Sequence, residues 1–135
     1  RYVLPRMKFM NKVILMLLVG LFFSPLANAD NVVYETEWMP STDLEFVLNE
    51  MNSNRLYPCY VQGQVNGIAI QYQASFCPFP QKMNLFQSRW GMSDDWYIET
   101  KKQFEAAGFV EHFHSTFLDL SDSVIHQATW VLSGQ

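Results

Sequence analysis

Residues 56–76, LYPCYVQGQVNGIAIQYQASF, contain the pattern that decides the fold. Two runs of alternating apolar and polar residues flank Asn66-Gly67, a dipeptide that supplies the positive φ angles of a two-residue hairpin turn. The stretch therefore predicts an antiparallel β-hairpin.

The turn also predicts the register of this hairpin. If Asn66 and Gly67 are the two turn residues, Val65 pairs with Ile68. Counting outward from that pair, Val61 faces Tyr72 and Cys59 faces Ala74. One face of the hairpin is apolar and is expected to face the core: Cys59, Val61, Ile70, Tyr72, Ala74 and Phe76. The opposite face carries Tyr60, Gln62, Gln71, Gln73 and Ser75.

A short strand and a helix are predicted before the hairpin. Residues 31–38 are rich in Val, Tyr, Thr and Trp, which is typical of a strand. An apolar stripe then recurs at helical spacing, and a polar residue at position 41, 42 or 43 can cap that helix. The stripe consists of Leu44, Leu48 and Met51.

A second helix and two further strands are predicted after the hairpin. Residues 78–91 are expected to form an irregular linker. Ser93 or Asp94 then caps a helix that ends at Ala107, with Gly108 as its left-handed stop. Strands are predicted over residues 109–117 and 123–132.

The two halves of the chain match at a spacing of 53 or 54 residues. Residues 72–76 lie over 126–130, and the first helix stripe lies over Tyr97, Lys101 and Phe104. The sequence thus predicts an α+β fold of two helix–β-hairpin repeats, with antiparallel strands and the helices packed on one face. The repeats span about 41–77 and 92–132 of a single domain over residues 30–135.

Several short motifs carry a resemblance to a known family. They are Arg89-Trp90-Gly91-Met92-Ser93, Tyr97, Ala107-Gly108-Phe109, the strand residues Pro58, Val61 and Gly63, and Ala128-Thr129-Trp130. These motifs resemble the bacterial tandem repeat domain, which also forms the non-catalytic structural repeats of polyglycine hydrolases. Arg55 stands where the family prefers glycine.

The resemblance implies a binding or scaffold role rather than catalysis. In polyglycine hydrolases the proteolysis resides in a separate serine β-lactamase-like domain with a Ser-x-x-Lys motif. The sequence contains neither that motif nor Lys-Thr-Gly.

Residues 1–29 are predicted to be an upstream extension followed by a secretory signal peptide. Met7 precedes two lysines, residues 13–23 form an apolar run, and Ala27-Asn28-Ala29 fits signal-peptidase cleavage before Asp30. The sequence therefore predicts export to the periplasm or the medium, without a stable membrane anchor after cleavage.

The predicted mature part of the chain is acidic. The whole chain has nine Lys and Arg against thirteen Asp and Glu, and residues 1–29 hold four of the basic residues but no acidic one. Nucleic acids and anionic membranes select basic patches, so neither is an expected partner.

Cys59 and Cys77 are the only two cysteines. Export favours a disulfide between them. The predicted register opposes it, because it places the two residues on opposite faces about three pairs apart, which requires a bulge or a bend. Both states remain open at this stage.

All three histidines fall on the second hairpin. Transferring the first register through the repeat places His114 opposite His126, with His112 two residues away on the same face. Three imidazoles and a water are a known zinc arrangement, so His112, His114 and His126 are a candidate zinc or copper site. The alternative is that the imidazoles pack in the core.

Two other groups of residues have candidate roles. The start of the second helix has three carboxylates, Asp94, Asp95 and Glu99, and two of them could act as an acid–base pair. The simpler explanation is that negative charge is favourable at a helix N-terminus. The polar face is a candidate binding surface for protein, peptide or glycan, and its alternative is a solvated sheet face. This surface consists of Tyr60, Gln62, Gln71 and Gln73.

Three functions follow as hypotheses. The first is an exported non-catalytic binding or structural module for protein, peptide or cell-wall material, with no cofactor. The second is a small metal-binding protein that uses the three histidines. The third is a periplasmic inhibitor or immunity-type protein that blocks a basic partner. Repeat proteins with few copies leave sheet edges open, so a homodimer is a further expectation.

Overall fold

The computed structural model describes residues 31–134. The predicted signal peptide and its cleavage site lie outside these residues. The elements in chain order are β1 Tyr34–Glu35, α1 Ser41–Ser53, β2 Leu56–Asn66, β3 Ala69–Pro78, β4 Met83–Met92, α2 Asp94–Ala106, β5 Val110–Leu118 and β6 Val124–Ser133.

The strands form two separate antiparallel sheets of three strands each. The first sheet has the order β1-β3-β2 and the second has the order β4-β6-β5. The chain is thus a mixed α+β protein, which confirms the predicted class. None of the helices formed by residues 31–134 has the length and apolar character needed to cross a membrane.

The predicted helices are both present, with one corrected cap. Ser93 Oγ accepts a hydrogen bond from the backbone N–H of Trp96 at 3.2 Å, and Gly108 follows α2 with φ of 94°. Helix α1, in contrast, has Pro40 as its N-cap, so the predicted polar caps lie inside its first turn.

The irregular linker predicted over residues 78–91 is wrong, because strand β4 occupies most of it. Met83–Met92 pairs with β6 across the second sheet. A break in regular pairing between Arg89 and Met92 holds Gly91 at φ of 72°. Such interruptions weaken the alternation from which a strand is recognised.

The register of the first hairpin differs from the predicted one by two residues. Asn66 pairs with Ala69, so the turn residues are Gly67 and Ile68, and Val61 faces Ala74 instead of Tyr72. Gly67 alone of the two has a positive φ, as a type II′ turn requires. A two-residue shift preserves the faces. Most of the predicted core face is buried, although Ile70 near the hairpin tip is 39% exposed.

A β-bulge in β2 allows the disulfide. Pro58 pairs with Phe76, whereas Tyr60 pairs with Ser75, so Cys59 is the extra residue between them. The bulge brings Cys59 and Cys77 together in a disulfide with a Cα–Cα distance of 5.8 Å.

The second hairpin has a bulge at His112, and its register also differs from the predicted one. His114 pairs with Ala128 and Thr116 pairs with His126, so His114 does not stand opposite His126. The pairing is shifted by two residues, as in the first hairpin. His114 and His126 are consequently diagonal neighbours.

Each helix covers one sheet. Leu44 and Met51 of α1 pack against the buried face of the first sheet. Tyr97 and Phe104 of α2 pack against Trp130 on the second sheet.

The two sheets meet where edge strand β2 lies on the second sheet. Ser115 Oγ donates a hydrogen bond to the carbonyl oxygen of Val61 at 2.5 Å, and Thr129 Oγ1 donates to the carbonyl oxygen of Pro58 at 2.9 Å. A Cβ atom on Gly63 would lie 2.3 Å from the ring of Phe117, so β2 approaches this closely only because it has glycine there.

We predict that the disulfide contributes substantially to stability. The bond closes a loop with a sequence separation of 18, and such a crosslink is worth about 2–4 kcal/mol. The double substitution Cys59→Ala with Cys77→Ala should lower the free energy of unfolding in guanidinium by this amount. Wild-type protein with a reduced disulfide should show the same decrease in the free energy of unfolding. A decrease below about 1 kcal/mol would contradict the prediction.

We also predict that Thr129→Val weakens the contact between the sheets. The substitution preserves shape but removes the donor to the buried carbonyl of Pro58 and the partner of the Ser88 hydroxyl, and each such loss costs about 1–3 kcal/mol. Urea unfolding measures the loss. Thr116→Val at an exposed position of β5 is the control, and equal effects of the two substitutions would show that the Thr129 hydroxyl is unimportant.

Candidate functional site

Two of the three histidines form a hydrogen-bonded chain with an aspartate. His114 Nε2 and His126 Nδ1 are 2.7 Å apart, and His126 Nε2 lies 2.5 Å from Asp94 Oδ1. The diagonal position across β5 and β6 places the imidazoles within reach. Asp94 is the first residue of α2, so the helix that covers the second sheet supplies the carboxylate.

Tyr97 of α2 covers both imidazoles. Its ring centroid is 4.3 Å from that of His114 and 4.6 Å from that of His126, with planes within 4°. Its hydroxyl donates to Glu111 Oε1 at 2.6 Å. Burial and then the bond to Glu111 raise the pKa of Tyr97, so the phenol stays neutral and acts as a donor. We call Asp94, Tyr97, His114 and His126 the histidine cluster.

The histidine cluster favours a neutral His114. Burial lowers the pKa of His114, with smaller effects of Glu111, which raises it, and of His126 and Lys101, which lower it. A neutral His114 that donates to His126 Nδ1 leaves His126 to donate from Nε2 to Asp94. His126 is only 8% exposed, and both of its nitrogens are then engaged within the protein. The arrangement orients imidazoles and connects α2 to the second sheet.

His112 does not join the other two histidines, which corrects the expected three-histidine face. The bulge places His112 Nε2 3.2 Å from the hydroxyl oxygen of Tyr57, and the two rings meet edge to face. In the part of the chain that the structure describes, no group of three or more His, Cys, Asp or Glu side chains is arranged to hold a metal ion.

The second candidate surface is a row of amides on the first sheet. Gln62 Nε2 donates to Gln73 Oε1 at 2.8 Å, and Gln64 Nε2 donates to Gln71 Oε1 at 3.2 Å. Tyr60 shares this face, is 42% exposed and contacts the ring of Phe113. We call Tyr60, Gln62, Gln64, Gln71 and Gln73 the glutamine face.

The glutamine face is opposite the helix. Helix α1 packs on the face that contains Val61 and Tyr72, and the four glutamines on the other face are half-buried. Gln73 Nε2 donates to the backbone carbonyl of Thr36, which holds the amide row in place. The row offers further donors and acceptors to a ligand, because each amide has more hydrogen-bonding positions than these bonds use.

Sequence reasoning missed three residues of these two surfaces. Gln64 follows Gln62 at the strand period of two, so the alternation alone was enough to find it. No sequence pattern indicates that Asp94 and Tyr97 contact His126, because they precede it by 32 and 29 positions along the chain.

Comparison with known proteins gives no relative for this chain: no family model matches it, and neither a curated protein nor a solved structure matches it.

We predict that His114 makes stability depend on pH. Because its folded pKa is lowered, the unfolded chain binds more protons at low pH, so His114 reduces stability as the pH falls below about 6.5. His114→Gln should therefore show a shallower decline in melting temperature between about pH 7.5 and 5.5. Gln103→Ala, on the exposed face of α2, should keep the wild-type profile. Identical profiles for all three proteins would contradict this role.

Proposed function

We propose that the chain is an exported, non-catalytic binding module of two repeats, and that its glutamine face binds an extended polypeptide strand. The observation that carries this proposal is the contact between the sheets. The corresponding face of the second sheet holds the extended strand β2 through side-chain hydroxyl groups.

The pairing pattern supports two repeats. Helices α1 and α2 both have 13 residues, and their first residues are 53 positions apart. Met39 bridges to Tyr72 just before α1, and Met92 pairs with His126 just before α2, again with offsets of 53 and 54. Both sheets place the last strand of the unit in the centre.

The irregular positions recur at the same spacing. The bulges at Cys59 and His112 are 53 residues apart. Arg55 follows α1 with φ of 58°, and Gly108 occupies the same position after α2 with φ of 94°. The resemblance to the tandem repeat family gains support here, because the family prefers glycine at the position of Arg55. A left-handed φ is the physical reason for such a preference.

The repeat equates the two polar sheet faces. By the offsets of 53 and 54, Gln62 corresponds to Ser115 and Ser75 corresponds to Thr129. Ser115 and Thr129 donate to backbone carbonyls of β2, so their counterparts present donors in equivalent places. An extended chain offers the matching row of carbonyl groups at the strand period.

Export has separate support. The Cys59–Cys77 disulfide is typical of proteins outside the cytoplasm, and it agrees with the signal-peptide pattern of the sequence. The structure weakens the case for the metal-binding alternative. His112 contacts Tyr57, and both ring nitrogens of His126 have hydrogen-bond partners within the protein.

Selection of random phage-displayed peptides on the purified protein tests the proposed function. Selected peptides should bind the variant Gln62→Ala with Gln73→Ala at least about tenfold more weakly, because two hydrogen bonds of about 1 kcal/mol each are lost. Gln103→Ala is the matched control and should bind as the wild type does.

Two results would contradict the proposal. Peptides that bind the double variant as well as the wild type would place binding elsewhere. Binding of peptidoglycan fragments to the glutamine face, without any selected peptide, would assign the face to cell-wall material.

A further inference from the structure

We infer, on the basis of the proposed function, that the strand bound by the glutamine face is β5 of a second copy of this chain. The contact within one chain provides the pattern: edge strand β2 of the first sheet lies on the polar face of the second sheet. Strand β5 is the corresponding edge of the second sheet, and the glutamine face is the corresponding face of the first.

The backbone acceptors of β5 match those of β2. The carbonyl groups of Pro58 and Val61 accept hydrogen bonds on β2. Their counterparts 53 residues later are the carbonyl groups of Glu111 and His114. The bulges between each pair of acceptors coincide, so the spacing of the two carbonyls along the strand is preserved.

The two donors on the first sheet are Gln62 of the glutamine face and Ser75 beside it. Ser75 stands where Thr129 donates in the contact within the chain, and Gln62 stands where Ser115 donates. Ser75 is 8% exposed and its Oγ donates to Glu35 Oε2 over a long 3.4 Å, so the carbonyl of the second copy has to reach the small exposed part of this side chain. Each copy would thus offer two hydroxyl or amide donors to the β5 edge of the next.

The side chains around these bonds also have counterparts. Tyr60 of β2 packs on Phe113 within the chain, and in the contact between copies Phe113 of β5 meets Tyr60 of the other copy. At the place of the close approach of Gly63 to Phe117, Thr116 stands against Gln64, and this flexible side chain has to move aside for the Cβ atom that Gly63 lacks. The first pair therefore stays aromatic, and the second becomes polar.

A face that binds an edge is a heterologous contact, which leaves one face and one edge free in every dimer. The association should therefore be open-ended, with a size that increases with protein concentration. Heterologous contacts form a closed ring only if the rotation between successive copies brings the last copy back to the first.

Two variants that each remove one half of the contact test this inference. Gln62→Lys blocks the face, and Thr116→Arg blocks the β5 edge at the position where β2 has Gly63. Sedimentation velocity should show concentration-dependent association of the wild type and of the control Gln103→Lys. Each blocked variant alone should be monomeric. An equimolar mixture of the two should form a one-to-one dimer, because one contributes an intact edge and the other an intact face.

The other outcomes overturn the inference. These are a wild type that stays monomeric up to millimolar concentration, a blocked variant that still associates alone, or a mixture that stays monomeric. Urea unfolding of both variants verifies that they are folded. If phage-selected peptides bind the glutamine face while the wild type stays monomeric, the second copy is excluded and the proposed function stands.

Discussion

The hydroxyl groups of Ser115 and Thr129, which hold the backbone of edge strand β2, determine how the two sheets are arranged. An edge strand exposes carbonyl groups that need partners when they are buried, and each unpaired group would cost about 1–3 kcal/mol. The two sheets share no paired strand within residues 31–134, so these side-chain bonds and the close approach at Gly63 take the place of sheet pairing. The proposed role of the glutamine face is derived from this contact.

The histidine cluster lies 53 and 54 residues after a pair of core residues of the first sheet. Tyr72 and Leu44 belong to the core under the first sheet, and His126 and Tyr97 stack on each other at the second sheet. The second sheet thus has stacked rings and a hydrogen-bonded chain that ends on Asp94. His126 is the buried member of this chain of hydrogen bonds, and its imidazole nitrogens have partners in His114 and in Asp94 at the first position of α2.

The sequence predicted the helices, the hairpins and the faces of their strands, because these follow from local periodicity and from capping and turn residues. Val61, Tyr72 and Phe76 are buried as the alternation indicated. The sequence did not predict the strand registers or the strand within residues 78–91. Asn66-Gly67 is compatible with two turn types whose pairings differ by two residues, and the bulges at Cys59 and His112 leave no mark in the alternation.

By itself the sequence determined the α+β class and the polar character of the glutamine face, and it predicted a correspondence between the halves at 53 or 54 residues. The tertiary structure alone decided three matters: that Cys59 bonds Cys77, that His112 leaves the other histidines for Tyr57, and that β2 lies on the second sheet. The reason is physical. Periodicity and capping depend on neighbours a few positions away along the chain, whereas a bulge or a covered edge is stabilised by contacts between residues far apart in sequence, whose free energies no local pattern contains.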